Sequence, residues 1–181
     1  FSGAKGTWLK TLDGGKTWEH GVIDGLVEVD FRSIQGFDAE HAIAVSAGQP
    51  SVIYRTSDGG KSWILTHKEG PTAFLDGITF LDQNTGFVLG DPVDDKWMIL
   101  KTVNQGESWF GIPNLPEVIA GEAGFAASAS SMIAMGDLVV LGSGGKESNL
   151  HVSKDGGDSW KKFKSPLIKG EASQGIFALT G

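Results

Sequence analysis

Short runs of alternating apolar and polar residues, separated by turn residues, make up most of the chain. Phe31 to Phe37 (FRSIQGF), Ala42 to Ala47 (AIAVSA), Ser51 to Thr56 and Trp63 to Thr66 form one set of four strand-length runs, with Asp38 to His41 and Gly48-Gln49-Pro50 as turns inside it. A second set follows at Gly77 to Leu81, Gly86 to Gly90, Trp97 to Thr102 and Ser108 to Gly111. A third lies near Gly124 to Ala129, Leu138 to Gly142, Leu150 to Ser153 and Trp160 to Phe163. Ahead of these sets, Phe1 to Trp18 supplies two strands, and after them Gln174 to Leu179 supplies one more. Few stretches carry a helical period, and 27 glycines in 181 residues suit many tight turns. The pattern predicts an all-β fold.

Between the third and fourth strand of each set stands one eight-residue phrase. It reads TLDGGKTW over Thr11 to Trp18, TSDGGKSW over Thr56 to Trp63, TVNQGESW over Thr102 to Trp109 and SKDGGDSW over Ser153 to Trp160. The closing tryptophans are 45, 46 and 51 residues apart, which is the period of a propeller blade. The common form, Ser/Thr-x-Asp/Asn-x-Gly-x-Ser/Thr-Trp, is the Asp-box or BNR repeat. Its residue types follow from the turn it builds. The side chains of Asp13, Asp58, Asn104 and Asp155 can accept backbone N–H bonds two or three residues on. Gly15, Gly60, Gly106 and Gly157 are expected at positive φ, and Gln105 implies that the preceding position tolerates a side chain. Trp18, Trp63, Trp109 and Trp160 can fold beneath the turn and bury roughly 150–250 Å² each. These residues are read as structural.

The expected architecture is therefore a β-propeller of four-stranded antiparallel blades. Residues 1–27 would end one blade, 28–73, 74–119 and 120–168 would form the next three, and 169–181 would begin a fifth. Four or so blades with unpaired edges leave strand edges exposed, so a partial ring, completed by further chain or by another chain, is expected over a closed four-bladed disc.

Composition narrows the chemistry. Apolar residues are 40% and charged residues 20% of the chain, as in ordinary globular domains, and no run of about 18 apolar residues is present to cross a membrane as a helix. The net charge is −7, and Arg32 and Arg55 are the only arginines, so the basic stripe of a nucleic-acid surface is missing. Without cysteine there is no thiol nucleophile, disulfide or thiolate ligand. The sequence opens at Phe1 without a charged and apolar leader, which leaves localisation open. His20, His41, His67 and His151 lack metal-ligand spacing and are read for the most part as surface or loop residues. No cofactor or metal is expected: the GSGGKES stretch at Gly142 to Ser148 lies between strands rather than opening a helix, and each box places glycine where a calcium loop needs its second oxygen ligand.

Phrases such as LKTLDGGKTW, FRSIQGFDAEHAIAVSAGQPSVIYRTSDGGKSW and FLDGITFLDQNTGFVLGDP resemble the BNR/Asp-box propellers related to the photosystem II stability/assembly factor, in their bacterial branch. Members of that branch are often labelled glycosyl hydrolase-like or oxidoreductase-like. The resemblance covers essentially the whole chain. It implies a seven-bladed ring in the intact protein and, for many relatives, a periplasmic or extracellular setting, but no established chemistry.

Chemistry is expected on the face opposite the boxes, where inner strands begin and second strands connect to third. Asp30, Asp76, Glu122 and Glu171 recur there at intervals of 46, 46 and 49 residues. Asp91, Asp94 and Asp95 in GDPVDDK and Glu147 join them. One reading is an acidic rim facing a partner or ligand. The other is a set of turn caps and solvated carboxylates. Sialidase chemistry would need an arginine cluster and a correctly placed tyrosine, whereas Tyr54 abuts a box on the wrong face. A glucanase-like pair could come from Asp76 with Asp91 or Asp94. The residues together favour a non-enzymatic scaffold that presents blade loops to a protein or protein complex. A glycoside hydrolase acting on glycans is the alternative. The irregular connection Pro113 to Glu122 would contact the partner or pack on a neighbouring blade.

Overall fold

The computed structural model describes every residue except Ala127 and Ser128, and no helix occurs among the described residues. β1 (Thr7–Lys10) and β2 (Glu19–Val22) form a hairpin around the first box. β3 (Phe31–Gly36), β4 (Ala42–Ser46), β5 (Val52–Thr56) and β6 (Ile64–Lys68) form an antiparallel meander in chain order. The third blade repeats it with β7 (Leu75–Phe80), β8 (Gly86–Val93), β9 (Lys96–Thr102) and β10 (Phe110–Gly111). Both inner strands carry a register shift at the same point, between Phe31 and Ser33 and between Leu75 and Gly77. The shared irregularity is a repeated β-bulge, which aims residues at the start of the strand differently from those that follow.

The fourth blade departs from the predicted pattern. Its start, β11 (Glu122–Ala123), pairs only with β14 (Gly144–Gly145), and the inner strand proper is β12 (Met132–Met135) beside β13 (Leu138–Gly142). β15 (Asn149–Ser153) and β16 (Lys161–Lys164) complete the sheet. The strand expected near Gly124 to Ala129 falls partly on Ala127 and Ser128, outside the described residues, and the described part is not strand. The run from Ala126 to Ser131 holds only Ala and Ser, which offer little side chain to pack on a pleated surface. The strand expected over Gln174 to Leu179 is reduced to a single bridge, Gly144 to Gly175, with Ile176 buried beside it.

The apolar core lies between the sheets. Ile43, Val45 and Ile53 of the second blade pack against Leu75, Val88 and Leu100 of the third. Phe87, Leu89, Trp97 and Ile99 of the third pack against Met132, Val139 and Leu141 of the fourth. Each such side chain contributes about 1.5–3 kcal/mol on burial. Blade faces pressed together in sequence are the packing of a propeller.

The four boxes share one hydrogen-bond scheme. The first hydroxyl, of Thr11, Thr56, Thr102 or Ser153, accepts the N–H of Gly15, Gly60, Gly106 or Gly157 at 2.8–2.9 Å. Oδ1 of Asp13, Asp58, Asn104 and Asp155 accepts the N–H of Thr17, Ser62, Ser108 and Ser159 at 2.9–3.1 Å. Thr17, Ser62 and Ser159 also donate their hydroxyls to Oδ2. Asn104 reverses that last bond, donating Nδ2–H to Ser108 Oγ at 3.0 Å. Donation from these hydroxyls and the neighbouring N–H groups holds Asp13, Asp58 and Asp155 down at about 2.

Both central positions of the turn are left-handed. Gln105 has φ 55° and Gly106 φ 75°, matching Gly59 and Gly60 at 75° and 93°. Gln105 therefore occupies a conformation that glycine adopts freely, and the expectation that only the second position needs positive φ is corrected. The second glycine answers a further demand: a Cβ on Gly60 would lie 2.7 Å from the Trp8 ring, and one on Gly157 3.0 Å from Phe87. The second, third and fourth boxes are thus each pressed onto a side chain of the preceding blade, Trp8, Ile43 and Phe87 in turn.

Candidate functional site

The recurring acidic residues divide into three environments. Asp30 is half-buried and pairs with Arg32 at 2.8 Å. Asp94 and Asp95 form the exposed two-residue tip of the β8–β9 hairpin, with φ of 51° and 58°. These are the paired left-handed values of a type I′ turn, which Asp tolerates. Glu171 is exposed in a turn closed by Gln174. Asp76 and Glu122 are buried, at 2% and 4% exposure.

Asp76 and Asp91 are brought together. Asp76 sits in the bulge of β7, and Asp91 is tied to the entry of that strand by its N–H, which donates to the Phe74 carbonyl at 2.8 Å. Asp91 Oδ1 accepts the N–H of Gly124 from the fourth blade at 2.9 Å. Gly124 is glycine because a Cβ there would lie 2.5 Å from Asp76 Oδ2. That Oδ2 has no hydrogen-bond partner among the described residues. Burial, reinforced by the nearby Asp91 charge, pushes Asp76 up to about 8. Burial also raises Asp91, against the stabilising N–H of Gly124. At neutral pH Asp76 is thus a protonated acid beside a second carboxyl group.

Glu122 has the opposite balance. Burial opposes its charge, but His151 Nε2 at 3.2 Å, the Ser143 hydroxyl, Asn149 Nδ2 at 2.7 Å and the Ile119 N–H at 2.9 Å hold it ionised and bring it down to about 2. His151 is fully buried against Trp97, with ring centroids 5.8 Å apart, an exception to the surface reading of the histidines. The serine hydroxyl is committed to the carboxylate rather than to the imidazole, so these groups are not arranged as a nucleophile and its base. They lock the start of the fourth blade. Among the described residues no three His, Cys, Asp or Glu side chains gather as a metal site.

Two features escaped the sequence reading. Lys10 Nζ donates to the Gly59 carbonyl at 3.0 Å, Arg55 Nε to Gln105 at 3.1 Å and Lys101 Nζ to Gly156 at 2.9 Å. Each cation immediately precedes a box and grips the box of the next blade. The visible signal was a basic residue before the first three boxes, replaced by Val152 before the fourth. The second feature is a groove between the first and second blades, lined by Trp8, Trp18 and Trp63. The connection Pro113 to Glu122 packs on neighbouring structure: Leu115 and Val118 join the core between the third and fourth blades, and Glu117 pairs with Lys162 at 2.9 Å.

Four-stranded antiparallel sheets, stacked face to face and joined by Asp-box turns, define a partial β-propeller. Residues 1–69 match the family model for the photosynthesis system II assembly factor YCF48, and the chain resembles the BNR propellers of that assembly-factor group. It is 31% identical over 111 residues to the chloroplastic photosystem II stability/assembly factor HCF136 of Oryza sativa subsp. japonica, a match over 59% of this chain and 25% of that protein. The chain spans about a quarter of the length of this plant relative. A solved structure of YCF48 bound to D1 peptide is similar at 16% identity and TM-score 0.46, over 94% of this chain and 81% of that one. The xyloglucanase of Xanthomonas campestris is similar in fold at 14% identity and TM-score 0.54, over 74% of this chain and 20% of that one.

Proposed function

We propose that this chain is part of a non-enzymatic propeller that serves as a binding or assembly scaffold, presenting blade loops to a protein partner. The observation that carries this reading is the 111-residue similarity to a plant assembly factor, reinforced by the family match over residues 1–69. The structure adds a physical reason. Four boxes, three inter-blade cations and the Glu122 network fix the loops before binding, so little ordering entropy is lost when a partner docks. The exposed hairpin at Asp94 and Asp95 and the turn at Glu171 offer carboxylates to a partner, whereas Asp76 and Glu122 act within the fold.

A photo-crosslinking residue at Asp95 tests this in an extract of the source cells, with the same residue at Phe163 on the outer strand as the comparison. A discrete polypeptide captured from Asp95 and absent from Phe163 is expected. Capture of the same background from both positions would remove the support for a loop-face partner.

Glycoside hydrolysis is the second reading, and the Asp76–Asp91 pair favours it: a carboxyl group raised to about 8 beside a second acid is the composition of a general acid with its partner. Turnover of xyloglucan or sialyl oligosaccharides that disappears in Asp76→Asn would establish this reading over the scaffold.

A further inference from the structure

The second blade leaves empty a space that the third blade fills. Gly36 faces Ala42 across the β3–β4 pair, and the corresponding pair in the third blade is Phe80 and Gly86. Phe80 lies over Gly86, where a Cβ would come within 2.6 Å of its ring. It also packs edge-on to Phe37 and Trp109, with centroids 4.8 and 6.4 Å away. A Cβ on Gly36 would meet nothing within 4 Å. The result is a groove of about 250 Å³ between the first two blades, walled by Ile34 and the indoles of Trp8, Trp18 and Trp63. Trp63, the box tryptophan of this blade, is half-buried beside Trp8, while its counterpart Trp109, beneath Phe80, is 8% exposed; Trp18, from the box of the first hairpin, is 43% exposed. Trp18 donates its Nε1–H to Gly15, whereas the buried Nε1–H groups of Trp63 and of Trp109 both lack a partner among the described residues, so the indole N–H does not set the groove apart from the filled blade.

The rim is acidic. Lys10 is occupied by the Gly59 carbonyl and by Glu19 at 3.2 Å, and His41 is held by Asp38 at 2.9 Å. Glu40 is exposed and forms no ion pair among the described residues. A volume below the roughly 300 Å³ of the smallest drug-sized pockets suits one side chain. Apolar walls with an acidic rim suit an aromatic side chain whose neighbours are cationic, since a Lys or Arg beside it meets Glu40 and can rest on the exposed face of Trp18.

We propose that this groove is a docking pocket for one aromatic side chain of a protein partner, flanked in that partner by Lys or Arg. The proposal rests on the scaffold reading and names the chemistry of one contact. The test is titration of the 181-residue chain with three acetylated, amidated peptides, ARWRA, AEWEA and ARARA, followed through the indole N–H resonances. ARWRA should shift Trp18 and Trp63 and bind at least about tenfold more tightly than the other two. Gly36→Phe combined with Ala42→Gly copies the Phe80–Gly86 pair and should reduce that binding about tenfold or more. Trp18→Ala, which removes an exposed ring, should also weaken it and serves as the readout if the filled variant does not fold. Equal binding of the three peptides, full binding by both variants, or shifts of these indoles by a xyloglucan oligosaccharide and by no peptide would overturn the proposal. Crosslinked partner capture at Asp95 that survives in the filled variant counts against the groove alone. Failure of capture in the unaltered chain counts against the scaffold.

Discussion

Asp76→Asn isolates the most unusual ionisation in the fold. The unfolded chain titrates this group near 3.8, and the folded one near 8. Below about pH 4 both states hold the proton, and the group adds no pH dependence. Between these values the unfolded chain releases the proton while the folded chain keeps it, so stability falls as pH rises. Above about pH 8 both states are ionised and the penalty no longer grows. At 1.36 kcal/mol per unit, the loss between pH 5 and pH 8 is about 4 kcal/mol, a large share of the roughly 5–15 kcal/mol that holds a domain folded. Asparagine is neutral throughout, so its stability relative to the unaltered protein should improve by that amount across the window. Urea unfolding of both proteins at pH 5, 6, 7 and 8 measures the difference directly. Parallel stability curves would show that Asp76 is not buried as an acid. Asp91→Asn gives an internal control: removing the neighbouring charge should lower the Asp76 pKa and end the window at a lower pH.

Glu122→Ala leaves the buried donors of Ser143, Asn149 and His151 without their acceptor and should cost about 3–5 kcal/mol in urea unfolding; a loss below 1 kcal/mol would mean that the network is not held as described. Asp58→Ala should lower the melting temperature without removing a specific activity, and turnover lost at an unchanged melting temperature would contradict its structural role. Asp13, Asp58 and Asp155 have depressed folded-state values, so the stability they add is complete above about pH 4 and fades as pH falls toward 2. An acid unfolding curve that does not shift when Asp13 and Asp155 are both replaced by Asn, as nature does at Asn104, would refute this. Lys101→Met keeps most of the aliphatic stem but loses the bond to Gly156, with an expected cost of about 1 kcal/mol.

The turns were the most legible part of the chain because their chemistry is local. Within eight residues the Ser or Thr, the Asp or Asn and the glycine satisfy one another, so TSDGGKSW describes nearly the whole clasp. Strand positions followed from alternation wherever β-branched and aromatic residues were present, as in β4 and β9. The inner strand of the fourth blade was misplaced because Ala and Ser carry no such alternation. The acidic series was found by its spacing, but spacing could not tell a carboxylate that is buried from one that is solvated. Asp30 has an arginine two residues on, Glu122 gathers donors from Ser143, Asn149 and His151, and Asp76 has Gly124 against it. The partner of Asp30 is local, but those of Glu122 come from distant parts of its blade and the neighbour of Asp76 from the next blade. The groove was illegible for a related reason: it arises from a residue that is small where its repeat equivalent is large.

The repeat therefore carries two messages in one stretch of chain. Inside a blade, the box closes a hairpin with its own side chains. Between blades, the cation before the box and the glycine at its centre connect each hairpin to its neighbour: Lys10 reaches forward to Gly59, while Gly60 receives the Trp8 ring. Arg55 makes the same forward contact with Gln105, which strengthens it through the Gln105 side-chain carbonyl at 3.3 Å. A left-handed backbone at the box centre is what turns the carbonyl of Gly59, Gln105 or Gly156 outward to meet the cation. The strained φ of Gln105 is thus part of the inter-blade contact, and glycine at that position should relax the turn while removing the second bond to Arg55. A ring built this way gains stiffness from nearest-neighbour contacts alone. Its loops are then free to differ, and the substitution of Gly36 for the bulk seen at Phe80 alters a surface without disturbing the clasp that holds it.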